Sequence, residues 1–325
     1  MTTPSPRSSR DAIDALITWV DGASPHHRKL RNRYMDQASS PLSENGTNPH
    51  RWEDHNEIYY CLNSIGRYAP WVRKIWIVTD GQRPDLSAID PKVRAKIHFV
   101  DHRDIFQGQQ HCLPTFNSVS IETVMWTIPD LAEQFLYFND DVFLTNDIAP
   151  EDFFNKGQPR LRGRWEDLTS LSASKTQQNA PETFNFVMHL NAALILGLPI
   201  NKVFKSAHVV HPFLKSQMQE LAKTYPIEFA ANALPKFRDT TQFSPQAIHN
   251  QSLLMRGQAR IIPVVDHIHV NSGIDTKGLS ALGISQFSLQ DQNIKMICIN
   301  DLPKVIEIYP DILNFLDTLV PVSVS

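Results

Sequence analysis

Four short apolar runs in the first half of the chain most narrow its choice of fold: AIDALITWV (12–20), KIWIVT (74–79), KIHFV (96–100) and FLYF (135–138). Rich in β-branched or aromatic residues and closed by polar turns, they predict buried strands. Helix-like or loop material separates them, and that alternation predicts an α/β fold with a mostly parallel sheet. Ile58, Leu62 and Ile65 recur at helical spacing, which predicts an amphipathic helix over 54–68 that Pro70 stops. A second helix is expected after 113–118, with Ile121, Val124, Met125 and Ile128 as its inward stripe. The first run ends in Asp21-Gly22 and the fourth in Asn139-Asp140-Asp141.

A chain of 325 residues, 42% of them hydrophobic, can bury the core of one large domain. Its 31 basic and 34 acidic residues leave a net charge of -3, which gives no electrostatic case for nucleic-acid binding. Cys61, Cys112 and Cys298 form an odd, widely spaced set. That fits a reducing compartment, with the cytoplasm as the default, rather than a disulfide framework. Residues 1–10 (MTTPSPRSSR) read as a disordered leader, and the apolar stretch 187–200, broken by His189 and Asn191, is too short to span a bilayer. The polar segment 149–181, with Arg160, Arg162 and Arg164, reads as a loop or insertion, followed by helices over 182–196 and 211–224.

The sharpest chemical signal is FLYFNDDVFL (135–144). Carboxylates at the end of a hydrophobic strand lie where open α/β sheets bind ligands, and one or two of them suffice for Mg²⁺ that also bridges phosphates. An Asp-Asp turn can equally be solvated or cap a helix. Asp21 ends the first strand, yet Asp-Gly is also an ordinary turn. His208 and His211 in SAHVVHPF would share a face of one helical turn, as a base and its partner or as metal ligands, or would be structural. His267 and His269 in VDHIHV alternate on an expected strand and read as structural. Arg238 in KFRD and Asn300-Asp301 in CIND signal nothing alone.

Taken together and in order, these segments resemble the Stealth family of sugar-1-phosphate transferases, which includes bacterial capsular polysaccharide phosphotransferases and the catalytic subunit of the animal N-acetylglucosamine-1-phosphotransferase. Its first region is similar to IDALITWVDG (13–22). Its second is similar to the span from Arg51 through YAPWVRKIWIVTDGQ, LPTFNSVSIE and FLYFNDDVFL. Its third is similar to the stretch from Asn191 through SAHVVHPF to KFRD, and its fourth to CIND.

The resemblance implies a GT-A-like, Rossmann-like sheet with an inserted helical region, one catalytic domain over 11–325. Residues 11–148 would be the nucleotide-sugar-binding half, and 182–325 would complete the site. It implies transfer of an N-acetylhexosamine- or hexose-1-phosphate from a UDP-sugar to a polysaccharide or oligosaccharide hydroxyl, with release of UMP. In that reading Asp140 and Asp141 hold Mg²⁺ or Mn²⁺, and Asp301 is a further ligand or the base's partner. His208 takes the acceptor proton, and Arg238 clamps a phosphate. Asp21, Asn117 and Ser118 line the donor pocket, with Arg51, His211 and Asn300 as further substrate contacts. Capsule assembly or export machinery at the inner face of the membrane is the expected partner. One departure stands out. Where the family usually reads Glu-Leu-Arg-Tyr-Ser-Leu-Arg-Ser, this chain has Glu57 to Ser64 as EIYYCLNS, with Tyr59 and Asn63 replacing both arginines. The competing readings are a GT-A glycosyltransferase that releases UDP and a non-catalytic carbohydrate-binding protein.

Overall fold

The computed structural model describes residues 12–38, 41–47, 52, 56–271 and 293–319. Residues 1–10, expected as a leader, lie outside the described residues. In chain order the strands are β1 (Ile13–Thr18), β2 (Ile75–Thr79), β3 (Ile97–Asp101), β4 (Gln134–Asn139), β5 (Val142–Leu144), β6 (Phe154–Asn155), β7 (Gln158–Leu161), β8 (Gly163–Glu166), β9 (Val203–Ser206), β10 (His211–Leu214), β11 (Arg260–Ile261), β12 (His267–Asn271) and β13 (Met296–Asn300).

The four apolar runs form the parallel heart of a five-stranded sheet of order β10-β4-β1-β2-β3, with β10 antiparallel at one edge. The α/β architecture with a mostly parallel sheet is therefore as the sequence predicts. β1 sits in the middle, Ala15 standing beside Ile75 on one side and Leu136 on the other. Its side chains alternate between two apolar layers, which is why the run is apolar at nearly every position. Ile13, Ala15 and Ile17 pack with Ile58, Leu62 and Ile65 of helix Glu57–Tyr68, while Leu16 packs with Trp76, Phe135 and Tyr137 on the opposite face.

The amino ends of these strands are pinned by one buried carboxylate. Asp14 accepts from Arg73 Nε and Nη2 at 2.8 and 2.6 Å, from Trp76 Nε1 at 2.9 Å, and from the backbone N–H groups of Lys74 and Ala132 at 3.2 and 2.9 Å. A buried charge needs such partners to offset its lost hydration.

The chain runs outward from β1 through β2 to β3 and then returns to β4 on the other side of β1. The carboxyl ends of β1 and β4 thus flank a topological switch point, the place where open sheets leave a crevice for ligands. β5 leaves that crevice and is joined by β13 and then β12 in a three-stranded sheet.

Two expectations need correction. Segment 149–181 is not a plain loop: β6 and β7 pair with each other, β7 with β11, and β8 with β9. Its arginines do not form one basic cluster either. Arg162 is 5% exposed and forms a buried fork with Asp266, at 2.7 Å from Nε and 2.5 Å from Nη2, whereas Arg164 pairs with Glu166 at the surface. The second correction concerns 207–214, which is not helical: a short loop over 207–210 leads into β10, and the helix starts only at Lys215. Val209 and Val210 are buried, and Pro212 inside β10 disfavours a helical His211 before it, so no helical turn carries the two histidines.

Candidate active site

The crevice at the switch point begins with the β4–β5 turn. β4 is apolar until Asn139, which accepts from the Tyr137 hydroxyl at 2.7 Å, and β5 resumes at Val142, so Asp140 and Asp141 are the two residues the core leaves outside. Asp141 Oδ2 accepts a short hydrogen bond from the Asn300 side-chain amide, and the Asp141 carbonyl accepts from Ile299 N at 3.0 Å. Oδ1 is buried without a hydrogen-bond partner among the described residues. Burial pushes the Asp141 carboxyl up to about 6, against the pull of Asn300, the Arg238 guanidinium and the Cys298 thiol. A buried carboxylate oxygen without a hydrogen-bond partner among the described residues suits a hard cation, so Asp141, with Asp140 beside it, fits Mg²⁺ or Mn²⁺.

Arg238 approaches from the second half of the chain. Its Nη2 donates to Ser118 Oγ at 2.7 Å, and Glu122 provides the neighbouring negative charge. Glu122 is itself held by the Tyr137 hydroxyl at 3.0 Å and by Gln246 Nε2 at 2.6 Å. Asn117, expected in the donor pocket, is 1% exposed and does other work. Its Oδ1 caps helix Ser118–Val124 through Val119 N at 3.1 Å, while Nδ2 donates to the carbonyls of Pro235 and Phe237 and to Gln242 Oε1. Asn117 therefore holds the strand of chain leading to Arg238, and of the Asn117-Ser118 pair only Ser118 reaches the site.

His208 sits in the loop between β9 and β10, and both ends of that loop are anchored by buried histidines. His189 Nε2 accepts from Ser206 N at 3.1 Å, and His249 Nε2 accepts from Leu214 N at 3.0 Å. A ring nitrogen that accepts from an amide N–H must be unprotonated, which fixes both as neutral tautomers. Asn250 Nδ2 adds a bond to Ser206 Oγ at 2.9 Å. His208 itself is held well below its ordinary value, by burial first and then by His269, His211 and Arg238. Its Nε2 is buried with no hydrogen-bond partner among the described residues. His211 does not share a helical face with it. It lies on β10 opposite Tyr137, where burial, then His189 and His249, press it down to about 3.

Asp21 turns back on its own loop. Oδ1 accepts from Ala23 N and Ser24 N at 2.9 and 3.1 Å, and its backbone N–H donates to Gln82 Oε1 at 2.6 Å. Asp301 follows β13 in the left-handed region, with φ 54° and ψ 49°, and opens helix Leu302–Ile308. For a residue with a side chain this backbone is strained, which is characteristic of functional sites. Arg51 lies outside the described residues. Thus Asp141, Asn300, Arg238, Ser118 and His208 come from separate segments and are joined by contact and charge: Asn300 to Asp141, Ser118 to Arg238, and Arg238 to both Asp141 and His208. Asn117 stands behind them, and the carboxylate of Asp21 is engaged locally.

Sequence reasoning missed several neighbours. Glu122 and Cys298 were not singled out as site residues, and His269, read as structural, has its Nε2 2.5 Å from Asn300 Oδ1. At the carboxyl ends of β2 and β3, Thr79 Oγ1, Asp80 Oδ1, His27 Nδ1 and His102 Nε2 are buried without hydrogen-bond partners among the described residues. The VTDG turn after β2, a carboxylate at a strand end like Asp21, was the available signal for this second set. Asn63, in place of a family arginine, is buried with an unpartnered Nδ2 among the described residues, while Tyr59 packs against the core.

Residues 11–39 match the model of Stealth protein CR1, conserved region 1, and residues 51–161 that of Stealth protein CR2, conserved region 2. The chain is 38% identical over 174 residues to capsular polysaccharide phosphotransferase cps1A of Actinobacillus pleuropneumoniae, covering 50% of this chain and 47% of the relative. It is 29% identical over 296 residues to exopolysaccharide phosphotransferase CpsY of Mycobacterium tuberculosis, covering 89% of this chain and 52% of the relative. The chain thus spans about half the length of these relatives. Among solved structures it is similar to galactosyltransferase LgtC in complex with donor and acceptor sugar analogs, with a TM-score of 0.42 and 12% identity over 88% of this chain and 86% of that one. It is also similar to the bifunctional glycosyltransferase WbbM, with a TM-score of 0.45 and 15% identity over 94% and 50%. Among the described residues, no helix is long and apolar enough to cross a membrane.

Proposed function

Since this chain belongs to the Stealth family, we propose that it transfers a sugar-1-phosphate from a UDP-sugar to a hydroxyl of a growing surface polysaccharide and releases UMP. The observation that carries this reading is the meeting of Asp141, Asn300, Arg238 and His208 at the switch-point crevice. A cation site, a guanidinium and a neutral imidazole with an unengaged nitrogen are the parts phosphoryl transfer needs, because its barrier falls mainly through positioning and charge neutralisation.

In this mechanism the acceptor hydroxyl attacks the β-phosphorus of the donor, the bond from that phosphorus to the bridging oxygen breaks, and UMP leaves with the electron pair. His208 Nε2 takes the hydroxyl proton; its neutral state leaves the lone pair available for that step. Arg238, oriented by Ser118 and Glu122, gives a planar fork to the phosphoryl oxygens. Asn300 orients Asp141 by its amide. Asp140 and Asp141 would hold Mg²⁺ or Mn²⁺, which supplies charge neutralisation to the diphosphate. The unpartnered polar atoms at the ends of β2 and β3 are suited to hydrogen bonds from the donor nucleotide. Asp301 and Asp21 shape the rim, and the reaction would take place on the cytoplasmic side beside the machinery that assembles capsule.

The test is product analysis. The protein is incubated with Mg²⁺, a panel of UDP-sugars and capsule-type oligosaccharides, and the products are identified by mass spectrometry. UMP with an acceptor heavier by a sugar phosphate is expected. UDP with an acceptor heavier by a sugar alone would make the protein a glycosyltransferase and overturn the attack at phosphorus.

A further inference from the structure

Next to the aspartates lies a second group of donors of a softer kind. β12 and β13 run parallel with His269 directly across from Cys298, so both side chains leave the same face of that small sheet. The 207–210 loop lays His208 over them, its ring stacked on that of His269 with 5.0 Å between centroids and 29° between planes. One ligand-capable atom from each of His208, His269 and Cys298 lies within 4.8 Å of the other two. Cys298 is a free, fully buried thiol, and His208 Nε2 is the buried nitrogen without a hydrogen-bond partner among the described residues. Leaving such an atom unsatisfied in the interior is costly, so a site that keeps one open is suited to a ligand. The phosphoryl transfer above uses His208 and gives the thiol and His269 no task.

We propose that His208, His269 and Cys298 form a binding site for a soft divalent cation, best suited to Zn²⁺, whose occupation removes His208 from the acceptor hydroxyl. Two imidazoles and a thiolate are a zinc donor set, whereas Mg²⁺ requires oxygen ligands. The hard-ion site at Asp140 and Asp141 and this soft-ion site are therefore chemically distinct although adjacent. Zinc sits about 2.0–2.1 Å from nitrogen and about 2.3 Å from sulfur, so the three side chains must draw in by roughly 1 Å to share one ion. The fourth position falls to water. Binding forms one zinc–sulfur and two zinc–nitrogen bonds and releases the Cys298 thiol proton to solvent, with no change of oxidation state. The inhibitory consequence rests on the function proposed above, while the binding itself does not.

The experiment titrates the full-length protein with Co²⁺ as a spectroscopic stand-in for zinc, with no donor or acceptor present. One equivalent should give a thiolate-to-cobalt charge-transfer band and strong visible bands of a four-coordinate site, erased by Zn²⁺ and untouched by Mg²⁺. Cys298→Ser should lose the charge-transfer band, and His269→Ala should weaken binding at least tenfold, both with unchanged circular dichroism. Cys112→Ser should behave as wild type. Absence of the thiolate band in wild type, or its survival in Cys298→Ser, would overturn the site. If cobalt binds as described and saturating Zn²⁺ leaves turnover intact, the inhibitory part fails; if no phosphotransfer exists at all, the cobalt result still stands by itself.

Discussion

Asp141 and His208 are where single atoms decide the outcome. Asp141→Asn keeps the shape and the contact with Asn300 in reach but removes the charge that a cation needs. Turnover should fall by at least about 10²-fold, with the loss in kcat and in apparent Mg²⁺ affinity rather than in folding. His208→Gln should lower kcat by about 10²–10⁴-fold with little change in the KM for donor, as expected for removal of a proton acceptor. The proton and the cation compete for Asp141. Because burial puts that carboxyl at about 6, the Mg²⁺ concentration for half-maximal rate should hold steady above pH 6 and rise roughly tenfold per unit below it, read from rate-against-Mg²⁺ curves at several pH values. At this scale the sequence was partly legible. Asp140 and Asp141 stand out because two acids interrupt an otherwise apolar run. Cys298 did not, and His269 read as structural, because their significance arises only from lying across from each other on strands joined through residues 272–295.

Strands and their anchors carry the next level of argument. The runs of β1, β2 and β4 were readable because an interior parallel strand is covered on both faces and so cannot alternate with polar residues, while the edge strand β3 was readable from its β-branched and aromatic residues. The 207–214 stretch misled because a three-residue spacing of histidines imitates a helical face, while the buried valines between them and the proline after them favour extended chain. Segment 149–181 misled because its strands are short and its buried Arg162 looks like its neighbours until Asp266 is seen opposite it. Asp14→Ala tests the anchor at the amino ends of β1, β2 and β4. It leaves Trp76 Nε1 and two backbone N–H groups without their acceptor, and should cost about 3 kcal/mol or more in urea unfolding. Gly163→Ala tests the antiparallel pair of β8 and β9. At φ +153° an added Cβ would meet the Lys205 carbonyl oxygen at 2.3 Å, so β9 must shift and carry the His208 loop with it. Activity should fall well before the melting temperature reflects the change.

Across the whole molecule, acid should act through buried histidines before it acts on carboxylates. Burial lowers His102, His189 and His249 to about 4 each. Unfolding frees them to protonate near the ordinary 6.5, so their contribution is complete above that pH and is lost as pH falls from about 6.5 towards 4. The slope is roughly 1 kcal/mol per pH unit for each histidine. Urea midpoints measured from pH 8 to 4 should be flat and then decline; a flat profile throughout would mean these rings are charged in the fold. Asp266 acts in a different window. Burial pushes it up, but His267 and the Arg162 fork outweigh burial and hold it far below the usual carboxylate range, so its contribution persists until pH drops beneath about 3.9. The arrangement of β5 against β13 bears on how the protein comes into being. The parallel sheet uses residues made early, and it leaves the edge of β5 open until Met296–Asn300 emerges from the ribosome and zips against it. During synthesis the β4–β5 turn therefore lacks Asn300 and Cys298, and the core behind it still lacks Met296, Ile297 and Ile299. A nascent chain stalled before that strand would leave the β5 edge exposed, which makes Met296–Asn300 the cover of an edge otherwise open to pairing with another chain.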